Sequence, residues 1–182
     1  MFFLINFATF EIAWLFSVIG GAREMPWLGP LAVCIALAIH LSAARKPIDE
    51  VVLIFSCAII GAGFDSMLVT FGWVSYKAGV FSEFLAPYWI ITMWMLFATT
   101  LNVSMRWLRG KPRLAAYFGL AGGPLTYLAG EKLGGIVLSS PIAALMALGI
   151  GWAIMMPALM RLSENLDGMP GKRRTWVAER IQ

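Results

Sequence analysis

Six long apolar stretches, at roughly 1–20, 27–44, 51–71, 87–107, 113–133 and 137–161, leave little of this chain free to fold in water. A helix needs about 20 mainly apolar residues to cross the hydrocarbon core of a bilayer, and each stretch approaches that length. Composition agrees: 60% of residues are hydrophobic and 13% charged, with a mean hydropathy of +0.79. A soluble domain carries about a quarter charged residues. The spacing predicts an all-α fold, a polytopic membrane protein built as a bundle of six transmembrane helices. Residues 1–162 form the transmembrane domain in this reading, and 163–182 a basic cytoplasmic tail that meets anionic headgroups.

Breaks between the stretches fall at Gly20-Gly21 and Pro26, Lys46-Pro47, Lys111-Pro112, and a tight turn of Glu131-Lys132 with Gly134-Gly135. Arg45, Lys46, Arg106, Arg109, Lys111, Arg113, Arg161, Lys172, Arg173, Arg174 and Arg180 fall on one side of the predicted membrane. Only Arg23, Lys77 and Lys132 fall on the other. Basic residues accumulate in cytoplasmic loops, so both termini are expected inside, an N-in/C-in topology. The net charge of +4 then reports membrane orientation, not a nucleic-acid partner. Residues 1–20 lack a basic leading region and read as a retained span, not a cleaved signal. The loop at 72–86 carries Trp73, Tyr76, Phe81 and Phe84, with Trp89 following, and is expected on the outer membrane surface.

Charged and polar groups inside a span cost about 2.5–3.5 kcal/mol each on the insertion scale, which makes them the best functional pointers. Asp65 stands about fourteen residues into the third stretch, roughly 20 Å deep at 1.5 Å per residue. Ala58, Gly61, Ala62 and Gly72 share its face, a small-residue surface that packs on another helix. Tyr127 reaches the same depth on the fifth helix, so an Asp65–Tyr127 hydrogen bond is expected. Glu11 lies near the middle of the first helix. Asn6, His40 and Asn102 form a second layer near the cytoplasmic ends, with Thr99 one turn above Asn102. Glu24, Glu50 and Glu83 are expected to be solvated in loops.

Catalytic candidates are therefore Asp65, Tyr127 and Glu11, and ligand-binding candidates are His40, Asn6, Asn102, Trp89 and Thr99. A His40–Asp65 pair would have to bridge about 12 Å along the membrane normal and is excluded unless a helix is broken. One histidine rules out bis-histidine haem and argues against a multi-histidine zinc site. Cys34 and Cys57 lie inside apolar runs and read as packing residues, without metal-ligand spacing. No phosphate-binding loop, dinucleotide fingerprint or nucleophile elbow occurs. No cofactor or metal is expected.

Asn6 and Trp14, Pro26-Trp27-Leu28-Gly29, His40, Asp65-Ser66, Ala86-Pro87 with Trp89, Trp94 with Phe97, Thr100 with Asn102, Gly123-Pro124 with Tyr127, and Leu133-Gly134 together resemble domain-of-unknown-function family 2878. The resemblance covers nearly the whole chain and rests on order and spacing. It implies a small multi-pass protein of the bacterial inner membrane and no particular reaction.

Polar groups at two depths between apolar walls suggest a cavity for an amphipathic ligand. The first expectation is a protein that binds or modifies a membrane lipid or fatty-acyl chain, with Asp65 as acid or base, oriented by Tyr127. The second is a small proton-coupled transporter using Glu11, Asp65 and His40 as a relay, with Gly123-Pro124 breaking the fifth helix. The third is a non-catalytic accessory subunit, docked through Ala143, Ala147 and Gly151 or through Gly130 and Gly134.

Overall fold

A computed structural model describes residues 2–170. Six α-helices account for most of them: α1 (Phe2–Ala22), α2 (Leu28–Ala43), α3 (Pro47–Thr70), α4 (Tyr88–Leu101), α5 (Pro112–Lys132) and α6 (Pro141–Asn165). A short 3-10 turn at Arg106–Leu108 precedes α5. Pro47, Pro112 and Pro141 open α3, α5 and α6, where a missing N–H costs nothing and the fixed φ suits the first turn. Two of the helices end in a left-handed glycine. Gly72 (φ 67°) and Gly134 (φ 84°) follow α3 and α5, and the next N–H of each turn reaches back to Leu68 and Gly130. Both glycines therefore lie beyond their helices and not on the small-residue faces expected of them.

Three helices, α1, α3 and α6, are long and apolar enough to cross a membrane. α2 and α4 have only 16 and 14 residues. α5 has 21, but Arg113, Glu131, Lys132 and four glycines dilute its apolar character. α4 stops well before residue 107 because the Thr100 carbonyl accepts the N–H groups of both Val103 and Met105, which breaks the helical register. α5 runs unbroken through Pro124, contrary to the expected break.

α4 is the hub. Nine of its 14 residues are buried, and it packs against α1, α2, α3 and α6. The outward faces of the other helices are strongly apolar: Leu4, Ile59, Ile142 and Ile154 are each at least two-thirds exposed. At one end of the bundle Asn6 on α1 bonds to Thr99 on α4, and His40 on α2 meets Glu50 on α3. Among the described residues this end carries Arg45, Lys46, Arg106, Arg109, Lys111, Arg113 and Arg161, and is called the basic end. At the opposite end Ser75 pairs with Val137, joining the α3–α4 and α5–α6 connections, and Gly134 lies against Ala22.

Leu166–Pro170 folds back over the start of α3. The Gly168 carbonyl accepts the N–H groups of Arg45 (2.8 Å) and Lys46 (3.1 Å). Residues 171–182, which hold most of the expected basic tail, lie outside the described residues.

Candidate functional site

Asp65 is fully buried on α3, five residues before the helix ends at Thr70. A carboxyl with no access to water must be met by donors. Trp94 Nε1 donates to Oδ2 at 2.6 Å, and the Tyr127 hydroxyl donates to Oδ1, the hydrogen bond expected from matched depth. Tyr76 approaches Oδ1 at 3.5 Å, a weak contact. Gly61, one turn earlier on α3, leaves no room for a Cβ beneath the Trp94 indole. That ring stacks on Trp152 of α6 at 4.7 Å and 12°, and Phe97 meets both rings edge-on. Asp65 thus holds two aromatic donors in place, and both of its oxygens are occupied.

A second polar centre lies at the basic end. Glu50, expected in a solvated loop, is fully buried instead. Pro47 starts α3 earlier than the apolar run suggests, so Glu50 falls in the first helical turn and faces inward. His40 Nε2 lies 2.8 Å from Oε2. Oε1 accepts from Asn102 Nδ2 at 2.7 Å and from the Gly168 N–H at 2.8 Å. Arg109 donates to Asn102 Oδ1 and, with Arg106, grips Asp167 at 2.7 Å. The cluster fastens the ends of α2, α3, α4 and α6 together. Glu24 and Glu83 are exposed, as expected.

Between the two centres runs a cavity of about 280 Å³. Its floor is one face of α4: Ile90, Met93, Trp94, Phe97 and Thr100, continued past the helix by Ser104 and Met105. One wall is α1, through Phe7, Phe10, Glu11 and Trp14. The other is α5, through Phe118, Gly119, Gly122, Gly123, Thr126 and Tyr127, backed by Trp152 and Met156 of α6. The α1 and α5 positions repeat at helical spacing, so each helix turns a continuous stripe to the groove. Gly119 and Gly123 are occupied by close contact with Trp152, whereas a Cβ on Gly122 would meet only Phe118, at 3.9 Å. Gly122 leaves the groove open. Lining is almost wholly apolar, with Glu11, Asp65, Thr100, Ser104 and Thr126 as exceptions.

Of the residues singled out from the sequence, Asp65, Tyr127 and Glu11 border this groove. Glu11 is exposed and makes no hydrogen bond or ion pair among the described residues. His40 and Asn102 meet only through Glu50, and Asn6 donates to the Thr99 carbonyl at 3.1 Å. None of these four borders the groove. Trp89 is fully buried between Gly21 and Gly79, its N–H given to the Ala78 carbonyl at 3.0 Å. His40, Glu11 and Asp65 therefore form no continuous relay. Trp94 and Tyr76 are partners of Asp65 that sequence reasoning misses. For Trp94 a signal exists: it stands six residues into α4 from the Asp65 end, about 9 Å deep, level with Asp65. Tyr76 sits in a loop whose depth cannot be counted from sequence.

A helical bundle with membrane-type outer faces, a buried carboxyl held by aromatic donors and a long apolar groove defines the class. Within that class, the chain belongs to the family described as Protein of unknown function (DUF2878), whose model matches residues 3–158. No curated protein and no solved structure matches it.

Proposed function

We propose that this chain is a six-span protein of the bacterial inner membrane, N-in/C-in, that holds a single fatty-acyl chain in the groove along α4. The observation that carries this reading is the shape of the groove. It follows α4 from Ile90 to Thr100, ten residues or about 15 Å, and continues past Ser104. About 15 Å is half of a hydrocarbon core and so the depth of one leaflet. At about 280 Å³ the cavity falls near the lower end of ligand-pocket volumes, about 300–1,000 Å³, which suits a single chain. α2 and α4 are short for a span, but α4 is enclosed by other helices, and a buried helix need not match the bilayer on its own. The engaged oxygens of Asp65 favour binding over acid–base chemistry: the carboxyl sets the aromatic wall through Trp94 and Tyr127.

The test is photocrosslinking of the purified protein in nanodiscs with a phospholipid bearing a mid-chain diazirine. Peptides containing Phe97 or Phe118 are expected to carry the label, and excess unlabelled lipid to suppress it. Label spread evenly over the outward faces of α2 and α6 would contradict the proposal.

Glycines available in principle to a partner subunit are already used inside the chain. Gly130 accommodates Ile136, and Gly151 lies against Phe64. This weighs against an accessory role through those faces.

A further inference from the structure

Resting on the acyl-chain reading, we propose that the occupant is a long-chain fatty acid, its carboxylate at the basic end near Ser104 and its methyl end toward Asp65. Three observations fix this polarity. Ser104 is only 9% exposed, borders the groove, and its hydroxyl has no hydrogen-bond partner among the described residues. The hydroxyl oxygen is itself accessible, and an entering carboxylate oxygen would accept from it. Every other hydroxyl that lines the groove is engaged: Thr100 donates to the Phe97 carbonyl, Thr126 to that of Gly122, and Tyr127 to Asp65.

Charge gives the same direction. Glu11 and Asp65 put carboxyl groups along the half of the groove remote from Ser104, a poor setting for an anion. Beyond Ser104 the chain enters the most basic part of the molecule. Arg106 and Arg109 are committed to Asp167 and Arg161 approaches Glu164, but Lys111 and Arg113 are exposed and have no acidic partner among the described residues. They stand at the start of α5, seven and five residues before Phe118 of the groove wall, and side chains of their length can extend toward a head group at that end.

Size argues for a carboxylate in preference to a glycerophosphate. The cavity is small, about 280 Å³, and its Ser104 end offers a single unpartnered hydroxyl in place of the several donors that a phosphodiester needs. A two-chain phospholipid could insert one chain only by leaving the other in the bilayer.

The experiment uses the full chain in nanodiscs of phosphatidylcholine and two palmitate probes, one with a diazirine at the methyl end and one with it beside the carboxylate. The first is expected to label peptides containing Ile90, Met93 or Tyr127, and the second those containing Ser104 or Met105. Lys111→Gln and Arg113→Gln are each expected to weaken palmitate about fivefold, the effect of about 1 kcal/mol for one basic residue at a membrane surface. Neither substitution should change the competition by 1-hexadecanol, which has the chain without the charge. Reversed labelling, or hexadecanol competing as well as palmitate, would overturn the proposal and leave the acyl-chain reading standing. Lysophosphatidylglycerol displacing the probes better than palmitate would overturn the choice of carboxylate. If no probe labels the groove, the acyl-chain reading itself fails.

Discussion

Asp65 shows how much one buried side chain can organise. Its two oxygens collect Trp94 from α4 and Tyr127 from α5, and so tie α3 to both. Asp65→Asn replaces one acceptor oxygen with a donor, so that either the indole N–H or the phenol loses its partner. An unsatisfied buried donor costs about 1–3 kcal/mol, and thermal unfolding in detergent should show a loss of that size. Gly61→Ala is expected to be at least as harmful. Its Cβ would enter the Trp94 ring, which cannot step aside while stacked on Trp152 and bonded to Asp65; overpacking of this kind typically costs about 1–3 kcal/mol. Glu24 offers the opposite sign. It sits at φ 58°, in the left-handed turn that ends α1 where the Met25 N–H reaches the Gly20 carbonyl. Glu24→Gly removes the Cβ strain and is expected to stabilise the protein, by up to about 1 kcal/mol in the same assay. Asp65 stands out in the sequence as a lone carboxylate deep in an apolar run, and Tyr127 as a hydroxyl at matching depth. The full set of partners does not, because Tyr76 arrives from a loop.

At the scale of elements, helix starts are easier to read than helix ends. Pro112 marks the start of α5 directly. Pro47 carries the same signal for α3, yet the apolar run beginning at residue 51 hides the first turn and with it Glu50. The end of α4 depends on two N–H groups converging on the Thr100 carbonyl, a turn with no glycine or proline to announce it. Glu50 joins elements that are far apart in the chain, since it accepts from Asn102 and from Gly168, 118 residues away. Removing one partner of a buried charged cluster costs about 3–5 kcal/mol. Glu50→Leu should therefore release Leu166–Pro170 from the start of α3. Hydrogen exchange is the direct readout: the Gly168 amide is expected to be protected in the wild type and to exchange rapidly in the variant. Equal protection in both would mean that the Arg106–Asp167 and Arg109–Asp167 pairs hold the segment without Glu50.

For the whole molecule, the all-helical class follows from six apolar runs, and each run corresponds to one helix. The groove is not legible in the same way. A cavity is what remains after side chains from α1, α4, α5 and α6 have packed, and it depends on Gly122 facing space while Gly119 and Gly123 face Trp152. All three look alike in a sequence. The split of the polar residues into two centres is partly visible as two depths, but Asn102 is joined to His40 only through Glu50, a residue whose position outside the apolar run suggests solvent. The proposed topology places the α1–α2, α3–α4 and α5–α6 connections on one side of the membrane and the basic end on the other. Single cysteines at Lys77 and Lys111, in a background without Cys34 and Cys57, should therefore react with a membrane-impermeant maleimide from opposite sides of intact cells. Labelling of both from outside would contradict that arrangement.

The most direct test of the acyl-chain groove is native mass spectrometry of the wild type and Gly122→Leu, each purified from its own membranes in the same mild detergent. A leucine there has space for its Cβ and projects into the groove, so the variant should fold and the cavity should be filled. The account predicts a mass increment of one acyl-bearing molecule on the wild type, reduced at least tenfold on the variant, with equal melting temperatures. The same increment on both proteins, or none on the wild type, would contradict it.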